Sequence, residues 1–72
     1  MDAKKTGAYL ADLRRARGLT QQEAADQLGV SNKTVSKWEN GAGLPDITVL
    51  PALAELYGVT ADDILAGETL RG

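Results

Sequence analysis

The sequence contains no cysteine and no histidine among its 72 residues. These absences exclude disulfide bonds, zinc-finger ligation, thiol nucleophiles and histidine-dependent acid–base catalysis from within the chain. The core must therefore be stable without covalent cross-links or bound metal ions. A chain of this length is one small domain, and we expect a single domain over residues 1–72 with its core at 7–67.

Long apolar runs are missing as well. Pro51, Thr48 and charged residues interrupt them, so no segment approaches the roughly 20 apolar residues that span a bilayer. The N-terminus carries Asp2, Lys4 and Lys5 and lacks the apolar centre of a secretory signal. We therefore expect a cytoplasmic protein with no membrane partner.

The net charge of −2 hides an uneven distribution of the charged residues. Residues 1–41 contain seven basic and five acidic side chains, a net charge of +2, whereas residues 42–72 contain one basic and five acidic side chains, a net charge of −4. Net acidity argues against a nucleic-acid partner, because phosphate binding rests on clustered lysine and arginine. The N-terminal part nevertheless has a net positive charge, which suits an anionic partner.

The spacing of apolar residues is helical throughout, and no run alternates as a strand would. We therefore expect an all-α domain, a compact bundle of five helices. The predicted helices span residues 7–17, 20–29, 31–40, 49–57 and 60–67. The residues after them, 68–72, are expected to be frayed or cut from a longer protein.

Helices two and five begin with a recognisable sequence signature. Thr20 with Glu23 and Thr60 with Asp63 form capping boxes, in which each side chain satisfies a free backbone N–H of the first turn. Gly29 ends helix two, because glycine adopts a positive φ at no steric cost. Two short helices bent around this glycine are the layout of a helix-turn-helix unit.

The remaining helices have single side-chain caps. Thr6 is the expected cap of helix one, and Ser31 that of helix three. Thr48 is expected to cap helix four, which places Pro51 in the first turn, where its missing N–H is tolerated. An earlier start of helix four near Asp46 is the alternative.

Helix three separates two faces when its residues are placed at intervals of about 100°. Its outer face and flanks offer amide, ammonium and hydroxyl groups without a carboxylate. Lysine donates to guanine, asparagine pairs with adenine and serine serves either base, so this face can read DNA; the alternative is an ordinary solvated helix face. The inner side holds Ser31, Val35, Trp38 and Glu39, and the outer side with its flanks holds Asn32, Lys33, Thr34, Ser36, Lys37 and Asn40.

Helix four is apolar on a wider front than a surface helix needs. One interpretation is that helix five covers the surplus with Val59, Ile64 and Leu65. The other is a self-association surface, because DNA-binding helix-turn-helix units often occupy two half-sites of DNA as a dimer. The front consists of Val49, Leu53 and Leu56 on one face and Leu50, Ala54 and Tyr57 on its neighbour.

Residues 20–41, TQQEAADQLGVSNKTVSKWENG, resemble the helix-turn-helix of the Cro and phage-repressor family, also called the xenobiotic-response-element family of bacterial regulators. That motif has glutamine first, a small residue fifth and glycine ninth, matched here by Gln21, Ala25 and Gly29. The resemblance extends through RRARGLTQ, LPD and LYGVTADDILAGE, from about residue 7 to 68. The apolar motif positions are filled by Ala24, Leu28, Val30, Val35 and Trp38.

The resemblance implies a lambda-repressor-like fold and sequence-specific binding of double-stranded DNA by a transcriptional regulator, with helix three, residues 32–40, in the major groove. No enzyme activity, cofactor or metal is expected, and a homodimer is expected under the self-association interpretation of helix four. The loop at residues 42–44 lacks the basic residue that some relatives carry there, so weaker binding per copy is expected. The implied base-reading residues are Asn32, Lys33, Lys37 and, more weakly, Ser36; the implied DNA-backbone contacts are Gln21, Ser31, Thr34 and Asn40; Arg14 and Glu39 are the implied internal ion pair.

A protein-interaction module is the alternative function. An antitoxin-like or adaptor domain would use the apolar front of helix four and the acidic C-terminal part. An enzyme has little in its favour, because the adjacent Asp62 and Asp63 point about 100° apart and suit the dipole of a helix N-terminus.

Overall fold

The computed structural model describes residues 1–70, and every regular element in this range is helical. This confirms the predicted all-α bundle of five helices. None of the described helices is long and apolar enough to cross a membrane. The helices are α1 Ala3–Ala16, α2 Gln21–Leu28, α3 Asn32–Glu39, α4 Leu50–Tyr57 and α5 Ala61–Ala66, with a 3₁₀ turn at Ile47–Val49 before α4.

Helix α1 begins four residues earlier than predicted. Asp2 caps it, because Asp2 Oδ1 accepts hydrogen bonds from the backbone N–H groups of Lys4 and Lys5 at 3.0 and 3.1 Å. The prediction that Thr6 caps α1 is wrong. The side chain of Thr6 is buried, and its hydroxyl donates to the carbonyl oxygen of Ile64 at 3.0 Å. Thr6 therefore joins α1 to α5 instead of starting α1.

Gly7 lies inside α1 and allows α3 to approach closely. A Cβ atom on Gly7 would overlap the carbonyl oxygen of Trp38 and lie 3.0 Å from that of Glu39. Glycine normally weakens a helix interior, so its presence here needs a packing reason. The contact with the last turn of α3 supplies that reason.

The start of helix four also differs from the prediction. Asp46 Oδ1 accepts from the backbone N–H of Thr48 at 3.1 Å and caps the 3₁₀ turn, so Thr48 is not the cap. The α-helix itself begins at Leu50, with Pro51 in its first turn. The alternative start near Asp46 agrees with the beginning of the 3₁₀ turn. The predicted start at residue 49 was wrong because the 3₁₀ turn and α4 were treated as a single helix.

The segment after α5 is tied back to the bundle through residue 70. Leu70 N–H donates to Asp63 Oδ1 at 2.8 Å, the hydroxyls of Tyr9 and Thr69 lie 3.0 Å apart, and Lys5 Nζ donates to Glu68 Oε2 at 2.5 Å. The expected fraying is therefore wrong for residues 68–70, because partners distant in sequence hold them. The same expectation for residues 71 and 72 lies outside the described residues.

The apolar front of α4 is used by the core. Leu50, Leu53 and Tyr57 are buried, and Val49, Ala54 and Leu56 are partly buried and packed against the same cluster. Val59 and the fully buried Ile64 cover the side that faces α5, as the first interpretation predicted, while Leu65 remains 39% exposed. The other members of the cluster are Leu10, Ala25, Val35 and Trp38.

Candidate nucleic-acid interface

Helices α2 and α3 form the predicted bihelical unit. The capping box of α2 is complete, with Thr20 N–H donating to Glu23 Oε1 at 2.9 Å and Glu23 N–H donating to Thr20 Oγ1 at 3.1 Å. Gly29 ends α2 in the left-handed conformation at φ 73°. Ser31 then caps α3, its Oγ accepting from the backbone N–H of Thr34 at 3.2 Å. The turn between the helices is therefore held at both ends by local contacts.

The outer face of α3 carries only neutral and cationic groups. Lys33 and Lys37 are exposed, whereas Val35 and Trp38 are buried on the opposite side. The one acidic residue of the helix, Glu39, has a side chain only 5% exposed. No carboxylate of α3 thus faces an approaching polyanion. The other residues of this face are the exposed Asn32 and Asn40 and the half-buried Thr34 and Ser36.

Arg14 and Glu39 form an ion pair between α1 and the last turn of α3. Arg14 Nε donates to Glu39 Oε2 at 2.7 Å, and Nη2 donates to Oε1 at 3.0 Å. Arg14 Nη1 also donates to the carbonyl oxygen of Leu19 at 2.8 Å. The hydrogen bonds to Glu39 raise the pKa of Arg14, and charge-assisted bidentate geometry of this kind is the strong form of such pairs.

Gln21, the predicted phosphate contact at the start of α2, belongs to the same network. Its Nε2 donates to Glu39 Oε1 at 3.0 Å, which leaves one amide hydrogen and the amide oxygen for another partner. Sequence reasoning did not find this link, because Gln21 and Glu39 are 18 positions apart. The side chain is therefore positioned before any ligand arrives.

The other predicted backbone contacts have local partners. The hydroxyls of Ser31 and Thr34 lie 2.9 Å apart, and Asn40 Nδ2 donates to Ser36 Oγ at 3.3 Å. Hydroxyl and amide groups have further donor or acceptor capacity beyond one bond. These contacts orient the side chains along α3 and leave hydrogen-bonding capacity for a further partner.

Gln22 also belongs to this surface, although the sequence prediction did not include it. Asn32 Nδ2 donates to Gln22 Oε1 at 3.3 Å, and Gln22 Nε2 donates to Asp26 Oδ1 at 2.8 Å. The contact with Asp26 follows the four-residue spacing of a helix and was readable from sequence. The contact with Asn32 crosses the turn, so it required the tertiary arrangement of the two helices.

Comparisons with known proteins agree with this geometry. The sequence profile of the family described as Helix-turn-helix matches residues 10–64. The chain belongs to the helix-turn-helix family.

Over residues 1–70 the chain has no group of three or more aspartate, glutamate, histidine or cysteine residues placed to hold a metal ion.

Several relatives within the helix-turn-helix family are named regulators. The chain is 43% identical over 61 residues to the HTH-type transcriptional activator BcrR of Enterococcus faecalis, covering 85% of this chain and 30% of BcrR. It is 36% identical over 61 residues to the SPbeta prophage-derived regulator YonR of Bacillus subtilis strain 168, covering 85% of this chain and 56% of YonR. It is 34% identical over 55 residues to the cryptic phage CTXphi transcriptional repressor RstR of Vibrio cholerae, covering 76% of this chain and 49% of RstR. The predicted resemblance to phage-repressor-type regulators is confirmed, and the chain spans 30–56% of the lengths of these relatives.

Solved structures with this helix-turn-helix fold include regulators and part of an enzyme. The restriction-modification controller protein C.AhdI of Aeromonas hydrophila has a TM-score of 0.80 and 27% identity, covering 88% of this chain and 96% of C.AhdI. Hydroxypropylphosphonic acid epoxidase of S. wedmorenis has a TM-score of 0.77 and 26% identity, covering 88% of this chain and 34% of the epoxidase. Because the fold occurs in regulators and in an enzyme, the fold alone does not determine the function, which depends on the surface groups of α3.

Proposed function

We propose that this chain is the sequence-specific DNA-binding domain of a transcriptional regulator, with α3 in the major groove of double-stranded DNA. The observation that carries the proposal is the outer face of α3, which a helix-turn-helix presents without a carboxylate because Glu39 is turned inward against Arg14. Lysine, asparagine and serine on this face offer the donors and acceptors that base edges require.

The base-reading roles fall on the first two turns of α3. Lys33 and Lys37 are exposed one turn apart and suit guanine O6 and N7. Asn32 suits adenine N6 and N7, and its amide is oriented by Gln22. Ser36 is half-buried and bonded to Asn40, so it is the weaker candidate.

The backbone-positioning roles fall around the start of α2 and both ends of α3. Gln21 keeps one amide hydrogen for a phosphate, and the free N–H groups at the start of α2 lie beside it. Ser31, Thr34 and Asn40 flank the reading face and suit phosphate oxygens on either side.

We also propose that two copies occupy two half-sites about one helical turn of DNA apart, as helix-turn-helix dimers do. The compartment we propose is the cytoplasm, where a bacterial regulator meets DNA. Enzyme activity is not proposed, because the polar surface described above is a binding face and its relatives BcrR and RstR are named as transcriptional regulators.

The alternative function, a protein-interaction module built on the apolar face of helix four and the acidic C-terminal part, is not favoured by the packing of that helix. That face packs against the core, and the exposed positions of α4 are Pro51, Ala52 and Glu55. An antitoxin-like or adaptor surface would need apolar side chains free to meet a partner.

Selection of bound sites from a pool of random DNA duplexes tests the proposal. We expect the 72-residue chain to enrich a motif with two-fold symmetry, and its binding to weaken steeply between about 50 and 200 mM NaCl. Failure to enrich any motif at the lower salt concentration would refute sequence-specific binding. An enriched motif without symmetry would retain DNA binding and reject the dimer.

A further inference from the structure

The end of α3 meets a part of α1 that bears two lysines with different surroundings. The loop at residues 42–44, which follows α3, contains no basic side chain. Lys4 and Lys5, from the first turns of α1, are both exposed. If α3 lies in the major groove as proposed, a cation beside this loop would face the phosphates that flank the groove.

Lys4 lies directly against the residue that follows α3 and its cap. Gly41 has φ 73°, and a Cβ atom built on it would lie 2.9 Å from Lys4 Cγ and 3.0 Å from Lys4 Cα. Gly41 directly follows Asn40, a proposed backbone contact. The close approach of α1 to α3 at Gly7 fixes the position of the Lys4 backbone and of the first carbon atoms of its side chain.

Lys5, the adjacent residue, is committed elsewhere. Its ammonium donates to Glu68 Oε2 at 2.5 Å, and this hydrogen bond raises the pKa of Lys5. Among residues 1–70 no acidic side chain forms an ion pair with Lys4. Two neighbouring lysines thus differ in one respect that matters for a polyanion. The charge of Lys5 is compensated by Glu68, whereas Lys4 has no such ion-pair partner in the part of the chain that the structure describes.

We propose that Lys4 is a DNA-backbone contact that supplies, from α1, the cation missing from the loop after α3. The inference rests on the proposed DNA binding and adds a phosphate contact outside the helix-turn-helix unit. The ligand is a phosphodiester of the strand that Asn40 approaches. A lysine ammonium is a compact point charge on a flexible four-carbon stem, so it recognises the phosphate without regard to base sequence.

The test compares Lys4→Gln with its matched control, Lys5→Gln. Both substitutions remove one positive charge from neighbouring positions, and the dissociation constant of each variant is measured on the selected duplex and on a scrambled duplex across about 50 to 200 mM NaCl. We expect Lys4→Gln to weaken binding to both duplexes equally. We expect it to reduce the slope of log affinity against log salt by about 0.9 for each bound copy. Lys5→Gln should leave the slope unchanged.

Lys4→Met is a second variant that keeps an unbranched apolar stem against Gly41 and removes only the charge. It should reproduce the slope of Lys4→Gln, and Lys4→Arg should retain the slope of the parent chain. An unchanged slope in both uncharged Lys4 variants would overturn the contact, and so would an equal reduction in Lys5→Gln, which would indicate a general charge effect. No binding by the parent chain at low salt would overturn the proposed function together with this inference.

Discussion

Glu39 receives hydrogen bonds from Arg14 at both carboxylate oxygens, 2.7 Å from Nε to Oε2 and 3.0 Å from Nη2 to Oε1. The same Oε1 accepts from Gln21 Nε2 at 3.0 Å. A single side chain therefore connects α1, the start of α2 and the end of α3. This arrangement removes the only carboxylate of α3 from the outer side of that helix and uses it to hold the helix-turn-helix against α1.

Replacing Glu39 by alanine should destabilise the domain by about 3 to 5 kcal/mol, because Arg14 would keep its partly buried position without a counter-charge. Urea denaturation followed by circular dichroism measures the loss. Glu55→Ala is the control, since Glu55 is exposed on α4 and is expected to change stability by only about 0.5 kcal/mol. Equal effects of the two substitutions would show that the network does not stabilise the fold.

Gly7→Ala should destabilise the domain, although alanine is the better helix former by about 0.5 to 1 kcal/mol. The added Cβ would overlap the carbonyl oxygen of Trp38, and overpacking of this kind costs about 1 to 3 kcal/mol. Gly43→Ala is the matched control, because a Cβ there meets no atom within 4 Å and its φ is not positive. Thermal denaturation should give a lower midpoint for Gly7→Ala only; a midpoint equal to or above that of the parent would contradict the close contact.

Stability should fall as pH rises from 10 to 12, partly because of Tyr57. Burial raises the pKa of Tyr57 from 10.0 to about 12, so the native state keeps the phenol proton over a range in which the unfolded chain has lost it. The contribution is fully present below pH 10 and is lost as pH approaches 12, and such a shift corresponds to about 3 kcal/mol.

Tyr57→Phe removes this titration and isolates it from the others in the same range. Lys5, whose pKa is raised by its hydrogen bond to Glu68, loses its proton in both proteins, so its effect cancels in the comparison. Denaturation with urea at pH 9 and at about pH 11.5 should show a smaller loss of stability for Tyr57→Phe than for the parent. Identical losses would mean that the phenol ionises without cost in the native state.

Lys33→Ala should cost about 1 to 3 kcal/mol on the selected site and relax the base preference at one position. Gln21→Ala should instead weaken binding to all sequences to a similar extent, because its proposed contact is a phosphate. Competition binding with duplexes substituted at each position separates these patterns. A Lys33→Ala protein with the parental preference at every position would remove Lys33 from the base-reading set.

Gln22→Ala should reduce discrimination for adenine at the base position proposed for Asn32. Asp26 accepts from Gln22 Nε2, which turns the amide oxygen of Gln22 toward Asn32 Nδ2 and fixes the orientation of the Asn32 amide. Without Gln22 that amide is free to rotate, and a loss of roughly 1 kcal/mol is expected, the usual worth of one such hydrogen bond. Gln27→Ala, an exposed substitution on the same helix, is the control and should leave the preference intact. Equal preference profiles for both variants would refute the orienting role of Gln22.

The amino-acid sequence by itself determined the features whose causes are local. The helical spacing of apolar residues, the capping boxes at Thr20 and Thr60 and the left-handed Gly29 all depend on interactions within a few residues, and each is present in the structure. The outward set on α3 was readable for the same reason, because a helix of about 3.6 residues per turn assigns faces from spacing alone.

Tertiary structure decided the features whose partners are distant in sequence. Threonine often caps a helix, yet the hydroxyl of Thr6 donates a hydrogen bond to a carbonyl oxygen of α5, 58 positions away. Glycine often ends a helix, yet Gly7 lies inside α1 at a backbone contact with α3. Neither local propensity nor periodicity contains information about such partners. The different surroundings of Lys4 and Lys5 have the same origin, since only the packing of α1 between the end of α3 and the segment after α5 gives one lysine a carboxylate and leaves the other beside Gly41.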